Sequence, residues 1–207
     1  MQDVVRQLSV VVQKNRLLSQ IYWFAKYLKK DPYGVGETAR GRYLDVLSLI
    51  PADAFANVLE LGCGEGAFTA LLADRAACVT ATDISITAIQ RATRRLRGLD
   101  HVFFRVENIC DRILGKSDYS LVICLELLYY VPRDRLDECI GKIVMQMRVG
   151  GYVLFGHRRE IPQSSGIFRI PFGAESIHAH FREIDDLVCM REVERPGYLL
   201  SLYKRLK

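Results

Sequence analysis

Several absences narrow the reading of this 207-residue chain before any motif does. Its six cysteines (Cys63, Cys78, Cys110, Cys124, Cys139 and Cys189) include no Cys-x-x-Cys, so a zinc knuckle is excluded and no metal site is expected. Cys78 and Cys124 lie in apolar, strand-like runs where a thiol acts as a small hydrophobe. All six read as reduced, which fits a cytoplasmic protein. No apolar run reaches the roughly 18 residues of a membrane span. Lys14 and Arg16 interrupt the N-terminal apolar residues and no small-residue cleavage site follows, so no secretory signal is expected. There is no internal repeat and no low-complexity segment. No Gly-Lys-Ser/Thr follows the glycines at 62–66, which excludes a P-loop and its phosphate-binding lysine.

What remains is an ordinary globular composition, half hydrophobic and a quarter charged, with net charge +5. That mild basic bias suits a solvated basic face and does not by itself require an acidic partner. The length suits one full-sized core. Residues 1–30 predict a helix, with Val4, Leu8, Val11, Leu18, Ile21, Ala25 and Leu28 on one apolar face. Such a helix can pack or form a homodimer, cap a site, or lie on a membrane surface. We set residues 1–45 apart as a helical extension and 46–207 as the main domain.

From residue 57 strands and helices alternate. Strands are expected at 57–61, 78–83, 101–106, 119–124 and 151–156, and helices at 67–74, 85–97 and 133–147. Ser85 caps the second helix, whose apolar face is Ile86, Ile89, Ala92 and Leu96. This βαβ rhythm predicts an α/β fold with a parallel sheet. The C-terminus departs from it: 187–194 and 198–204, joined by Arg195-Pro-Gly, read as an antiparallel hairpin. Residues 158–173 read as a loop or flap after a strand end, where α/β enzymes place substrate contacts.

Gly62, Gly64 and Gly66 stand between a strand and a helix, so backbone N–H groups and a helix N-terminus face a ligand. Asp83, at the end of the next strand, sits where an acid binds ribose hydroxyls. These features fit a dinucleotide as well as other adenosyl ligands. Glu60 separates the two cases. A carboxylate at the mouth of the loop opposes pyrophosphate and suits a cation.

The stretch Val58-Leu-Glu-Leu-Gly-Cys-Gly-Glu-Gly resembles motif I of class I S-adenosylmethionine-dependent methyltransferases. The resemblance implies a Rossmann-like seven-stranded sheet, order 3-2-1-4-5-7-6, with strand 7 antiparallel. It also implies S-adenosylmethionine as cofactor and S-adenosylhomocysteine as product. Glu60, Gly62, Cys63, Gly64 and Gly66 would then face the methionine part of the cofactor, and Asp83 the ribose. Ile84 and Ile109 would sandwich the adenine. Asn108 would accept from the adenine amino group, where the family usually carries aspartate. Leu125 and Glu126 would lie beside the methyl group.

An amine acceptor must be neutral to attack, and a carboxylate, tyrosine or histidine can take its proton or align its lone pair. Glu126, Tyr129 and His157 are the candidates at the strand ends. His178 and His180 do not share a helix face and read as structural or solvated. The Asn/Asp-Pro-Pro-Tyr of many nucleic-acid and protein amine methyltransferases is absent, which favours a small or sugar-like acceptor. Asp31-Pro-Tyr-Gly, Glu126-Leu-Leu-Tyr-Tyr-Val, Val153-Leu-Phe-Gly-His-Arg-Arg and Phe172-Gly-Ala-Glu-Ser-Ile-His-Ala together resemble the nodulation protein S group. Members of that group N-methylate a free amine on a deacetylated chitooligosaccharide. The long N-terminal helix, and Tyr33 where tryptophan is expected, depart from that pattern. The expectation is therefore N-methylation of an amino sugar or other small amine. O-methylation, RNA methylation through the Arg91, Arg94, Arg95 and Arg97 patch, and a non-catalytic binding module are the alternatives.

Overall fold

The computed structural model describes residues 11, 12, 14–29, 37–111, 118–159 and 173–207. The expectations for Val4, Leu8, Tyr33, most of the 158–173 loop and Phe172 lie outside them. A seven-stranded sheet runs in the order β3-β2-β1-β4-β5-β7-β6. Its strands are β1 (Val58–Leu61), β2 (Val79–Asp83), β3 (Val102–Val106), β4 (Tyr119–Leu125), β5 (Met147–Arg158), β6 (Leu187–Arg195) and β7 (Tyr198–Arg205). The first five pair in parallel, while β7 runs antiparallel between β5 and β6.

The central strands are apolar throughout because both faces are covered. β1 and β2 are buried at every position. Alternate side chains feed two cores. Leu59, Val122, Cys124, Val153 and Phe155 pack with Leu136, Ile140, Ile177 and Phe181, from α5 (Leu136–Val144) and α6 (Ala174–Arg182). Val58, Val79, Leu121, Ile123 and Leu154 pack with residues of α2 (Glu37–Leu49), α3 (Ala67–Ala73) and α4 (Ile86–Arg95).

Ser85 caps α4 as expected, accepting from Ala88 N–H at 3.3 Å. The buried face of α4 is Ala88, Ile89 and Ala92, continued by Leu96 at its end, whereas Ile86 is exposed. Ile86 opens the first turn, ahead of the stripe that meets the sheet. Two boundaries also move. Arg133–Arg135 form a 3-10 turn after Pro132, so α5 starts at Leu136. β5 starts at Met147, four residues before the expected 151. Its register to β4 jumps from Tyr119↔Met147 to Leu121↔Tyr152, and Gly150 (φ +77°) and Gly151 occupy that irregularity. A Cβ on Gly151 would stand 2.9 Å from the carbonyl oxygens of Arg148 and Tyr119, so the bulge requires glycine there.

The N-terminal helix differs from its expected form. Asn15 is extended (φ −104°, ψ 113°) and caps α1 (Arg16–Lys26) by accepting from Leu18 N–H at 3.1 Å, so the expected single helix is broken there. Leu18, Ile21, Ala25 and Leu28, the expected packing face, point outward with Leu17 and Phe24. The buried face is Ser19, Trp23 and Tyr27, the two rings packing with Ala88 and part-buried Ile84 and Tyr130. Two aromatic rings bury more apolar area than the aliphatic stripe, and only they reach Ala88. α2 runs through residue 45 and sends Val46 and Leu47 into the sheet core, so the division we drew after 45 falls inside a helix.

Candidate functional site

All the sequence-derived site residues lie at or just beyond the C-terminal ends of β1 to β5, where parallel α/β sheets bind ligands. The loop after β1 turns sharply: Gly62, Gly64 and Gly66 have φ of +73°, +54° and +75°. These are conformations that glycine adopts without strain. Gly66 also lets α3 approach α4, since a Cβ there would meet Ala92 Cβ at 3.0 Å. The loop is tied to β2. Gly62 and Cys63 N–H donate to Thr82 O (2.8 and 2.9 Å), and Gly64 N–H donates to Asp83 Oδ2 (2.9 Å). Asp83 Oδ1 accepts from Ser85 N–H at 2.8 Å. One carboxylate therefore holds two loops in register and keeps further lone pairs for a ligand.

Glu60 and Asp83 are both buried carboxylates. Burial raises Glu60 to about 8, helped by the charge of Asp83 and opposed by the Thr69 hydroxyl, which donates to Oε2 at 2.6 Å. Burial raises Asp83 to about 6 against the backbone N–H bonds that it accepts. Burial likewise raises the Cys63 thiol well above its ordinary value, which keeps it a neutral packing group. The N–H groups of Gly62, Cys63, Gly64 and Gly66 are bonded within the protein, contrary to the expectation that they face a ligand. Two buried acids beside a loop whose glycines carry no side chains suit a ligand that brings positive charge and hydroxyl groups. The residues present thus fit an adenosyl sulfonium compound.

Ile84 and Ile109 are half-buried just past the ends of β2 and β3. Asn108 is arranged differently from the expectation: its Oδ1 accepts from Cys110 N–H (2.9 Å) and its Nδ2 donates to Asp111 Oδ2 (2.9 Å). Its amide oxygen keeps one lone pair for an adenine amino group. A cleft beside these residues is lined by Leu61, Thr82, Asn108, Ile109 and Ile143.

Leu125 ends β4 over Gly156, where a Cβ would collide with Leu125 and Leu200 at 2.7 Å. Glu126 follows with φ +54°, the one non-glycine residue with positive φ among the described residues. Its N–H donates to Gly156 O at 2.7 Å, so the strained residue is fixed to the end of β5. Tyr129, buried in the Leu128–Tyr130 turn, donates to Glu126 Oε2 at 2.6 Å. Arg158 Nε lies 3.2 Å from the same oxygen and Arg42 Nη1 lies 3.1 Å from Oε1. Oε1 is buried and accepts no hydrogen bond among the described residues, because Arg42 approaches off the hydrogen-bonding direction. Burial and the Glu126 charge push the Tyr129 hydroxyl well above its ordinary value, so it remains a donor.

His157 is fully buried beneath this group. Its Nε2 accepts from Leu128 N–H (3.3 Å) and its Nδ1 faces His178 Nε2 (3.1 Å). Both ring nitrogens are therefore engaged inside the protein, away from any acceptor. Burial, helped by His178, holds it well below the usual histidine range.

Tyr27 and Arg42, which the sequence reading missed, join the expected aromatic Trp23 at the site. Tyr27 closes over the glycine loop: its hydroxyl lies 3.2 Å from where a Gly64 Cβ would be, and burial together with Asp83 raises its pKa. Trp23 meets Tyr130 edge to face at 4.9 Å. Arg42 carried no signal in the sequence, because only the fold brings α2 over β4. Arg91, one of the proposed RNA-patch arginines, instead pairs with Glu65 of the loop at 2.6 Å.

The sheet order, the glycine loop and the paired acids define a class I S-adenosylmethionine-dependent methyltransferase. More narrowly, residues 26–196 match the family model of nodulation protein S (NodS), and the chain belongs to that family. Nodulation protein S of Bradyrhizobium diazoefficiens is 30% identical over 171 residues, 80% of this chain and 77% of the relative. That of Azorhizobium caulinodans is 29% identical over 153 residues, 72% of each. The crystal structure of N-methyltransferase NodS from Bradyrhizobium japonicum WM9 in complex with S-adenosylhomocysteine superposes with a TM-score of 0.77. It is 25% identical and covers 88% of this chain and 96% of that one.

Proposed function

We propose that this enzyme N-methylates an amino sugar, as a monosaccharide or a deacetylated oligosaccharide, or a related small amine. The observation that carries the reading is the Glu126 carboxylate. It is held in a strained turn, donated to by Tyr129, and has one buried oxygen left without a hydrogen bond. Once the Arg42 contact opens, an acceptor N–H donates to that oxygen, which aligns the nitrogen lone pair and takes its proton. The surplus positive charge of Arg42 and Arg158 disfavours an ammonium ion and so favours the neutral, nucleophilic amine. Part-buried Tyr130, backed edge to face by Trp23 and Tyr129, suits stacking on a sugar ring. The nodulation protein S relatives and the N-methyltransferase crystal structure support an amine acceptor.

In this reading Glu60 and the backbone of Gly62, Cys63, Gly64 and Gly66 hold the methionine part of the cofactor. Asp83 holds the ribose, and Ile84, Asn108 and Ile109 hold the adenine. Leu125 lies beside the transferred methyl. S-adenosylmethionine supplies an electrophilic methyl group, and the chain supplies alignment and excludes water. Tyr129 holds Glu126 rather than acting as a base, and His157 acts from below through Leu128. The N-terminal helix α1 serves as a cap through Trp23 and Tyr27. The outward stripe of Leu17, Ile21, Phe24 and Leu28 is the surface through which a homodimer would form, which sedimentation velocity tests. A cytoplasmic location fits six free cysteines. Among the described residues no helix is long and apolar enough to cross a membrane.

The test is incubation with methyl-labelled cofactor and glucosamine, deacetylated chitooligosaccharides, their N-acetylated forms or RNA, followed by location of the label. Label on nitrogen of the free amines alone is expected. Transfer only to oxygen, or only to RNA, overturns the reading.

A further inference from the structure

A polar chain, buried except at its far end, runs from the turn carrying Tyr129, after the central strand β4, to the β6 edge of the sheet. Leu128 N–H donates to His157 Nε2 (3.3 Å), and His157 Nδ1 faces His178 Nε2 (3.1 Å). His178 Nδ1 faces Ser201 Oγ (2.7 Å), and Ser201 Oγ donates to Glu192 Oε2 (2.9 Å). Glu192 is in turn held by both contacts of Arg182 Nη2, at 2.8 and 2.9 Å. His157, His178 and Ser201 are 0% exposed. The side chains come from β5, α6, β7 and β6 and converge from positions 157 to 201. Neither the proposed cofactor site nor the acceptor carboxylate touches the last three.

The direction of every hydrogen bond in the chain is forced. A backbone N–H can only donate, so His157 Nε2 carries a lone pair and its proton sits on Nδ1. That proton is donated to His178 Nε2, which leaves the His178 proton on Nδ1 for Ser201. The serine proton then goes to the Glu192 carboxylate. Burial holds both rings neutral, His178 at about 4. The charged groups facing it are Glu192 on β6 and Glu175 and Arg182 on α6. All four bonds thus point one way and end on an anion, and adding or removing one proton donor breaks the sequence.

We propose that His157, His178, Ser201 and Glu192 are positioning residues that fix the Leu128–Tyr130 turn, and with it the Tyr129–Glu126 contact on the acceptor side. The role of that contact rests on the function proposed above; the tautomers and the anchoring of Leu128 do not. Leu128 N–H is the first link, and Tyr129 follows it directly in the same 3-10 turn. The Tyr129 ring also packs edge-on against His157 at 5.7 Å. The chain tunes geometry from behind the site and exchanges no proton with the acceptor, since no member bonds to Glu126 or Tyr129.

Two readouts test the proposal on the full-length protein. Nitrogen NMR of histidine-labelled enzyme near pH 7.5 should show His157 and His178 neutral with the proton on Nδ1. Either ring charged, or protonated on Nε2, overturns the chain. Ser201→Ala removes one buried hydroxyl with little change of volume. It should speed hydrogen exchange at Leu128 N–H and lower kcat with a deacetylated chitooligosaccharide by about fivefold, the scale of one neutral hydrogen bond. The dissociation constant for S-adenosylhomocysteine should not move. Ser201→Thr, which keeps the hydroxyl, should restore both values. Unchanged Leu128 exchange in Ser201→Ala overturns the positioning role whatever the acceptor. If Leu128 exchange rises but no amine is methylated, the function reading fails and the chain stands.

Discussion

The cofactor side and the acceptor side of this site are built by different means. On the cofactor side, β1 to β3 present loops in which the backbone does most of the work. Glycines with positive φ, N–H groups and two buried acids lie within short stretches, 60–66 and 83–85. On the acceptor side the contacts are made by side chains far apart in sequence: Arg42, Glu126, Tyr129 and Arg158, with His157, His178 and Ser201 behind them. A cradle of local backbone tolerates little change and serves one ligand. A constellation of distant side chains can be retuned one residue at a time, which suits the half that selects the acceptor.

Changes on each side should therefore separate binding from turnover. The largest effect is expected for Glu126→Gln, which keeps the shape of the side chain and removes its proton-accepting charge. Its kcat should fall about 100-fold, the lower end for a positioned general base. Affinity for S-adenosylhomocysteine, measured by calorimetry, should stay within about twofold, since no cofactor-side group contacts it. A parallel loss of affinity would erase the distinction between the halves. The converse change is Asp83→Ala, which removes the acceptor of Gly64 and Ser85 N–H and the proposed ribose contact. It should weaken cofactor binding by about 1–3 kcal/mol, with kcat at saturating cofactor changed far less. Unchanged affinity would refute the ribose role.

The contrast also explains what could be read in advance. The strand order, the terminal hairpin, Ser85 as a cap and the glycine loop follow from local spacing, hydrophobic period and resemblance, and the structure contains them all. Arg42 was not legible, because its position over β4 depends on how α2 packs. His178 read as a structural or solvated histidine, since its partners lie 21 and 23 positions away. His157 stood in a recognisable motif, yet its burial depends on α6 covering β5. The N-terminal helix was misjudged for a related reason. Periodicity identified its aliphatic stripe, but the surface that it meets selected Trp23 and Tyr27 instead.

An intermediate effect is expected from pH, and above about pH 6.5 it belongs to the cofactor side. Burial raises Glu60 to about 8 and Asp83 to about 6, above the roughly 4 of unfolded carboxylates. Between about pH 6.5 and 8 Glu60 keeps the ligand-free native state more protonated than the unfolded state, so stability falls as pH rises through that window. Below about pH 6.5 the buried neutral His157 and His178 bind fewer protons than when unfolded and oppose the two acids. A cationic ligand prefers the ionised acids, so cofactor affinity moves the other way. It should rise about tenfold from pH 6.5 to 8, with protons released on binding. Calorimetry in two buffers of different ionisation enthalpy counts those protons. Glu60→Gln should flatten the upper part of the curve, while Glu126→Gln should leave it unchanged. Affinity independent of pH would remove the cation argument from Glu60.

The smallest expected effect falls where the cofactor side departs from its family, at Asn108. The usual aspartate offers the adenine amino group a charged acceptor. The structure argues otherwise. Asn108 Nδ2 donates to Asp111 Oδ2 at 2.9 Å, so a carboxylate at 108 would face another carboxylate at hydrogen-bond distance, with no proton between them. Oδ1 would still accept from Cys110 N–H, so the turn itself should survive. Asn108→Asp is therefore expected to weaken cofactor affinity about threefold, a fraction of the cost of a lost hydrogen bond because Asp111 is partly solvated. Adding Asp111→Asn returns a donor to the pair with its polarity reversed, and the double variant should bind at least as tightly as the wild type. Additive losses in this cycle would show that residues 108 and 111 do not interact. Asn108 would then be simply tolerated there, and not matched to its neighbour.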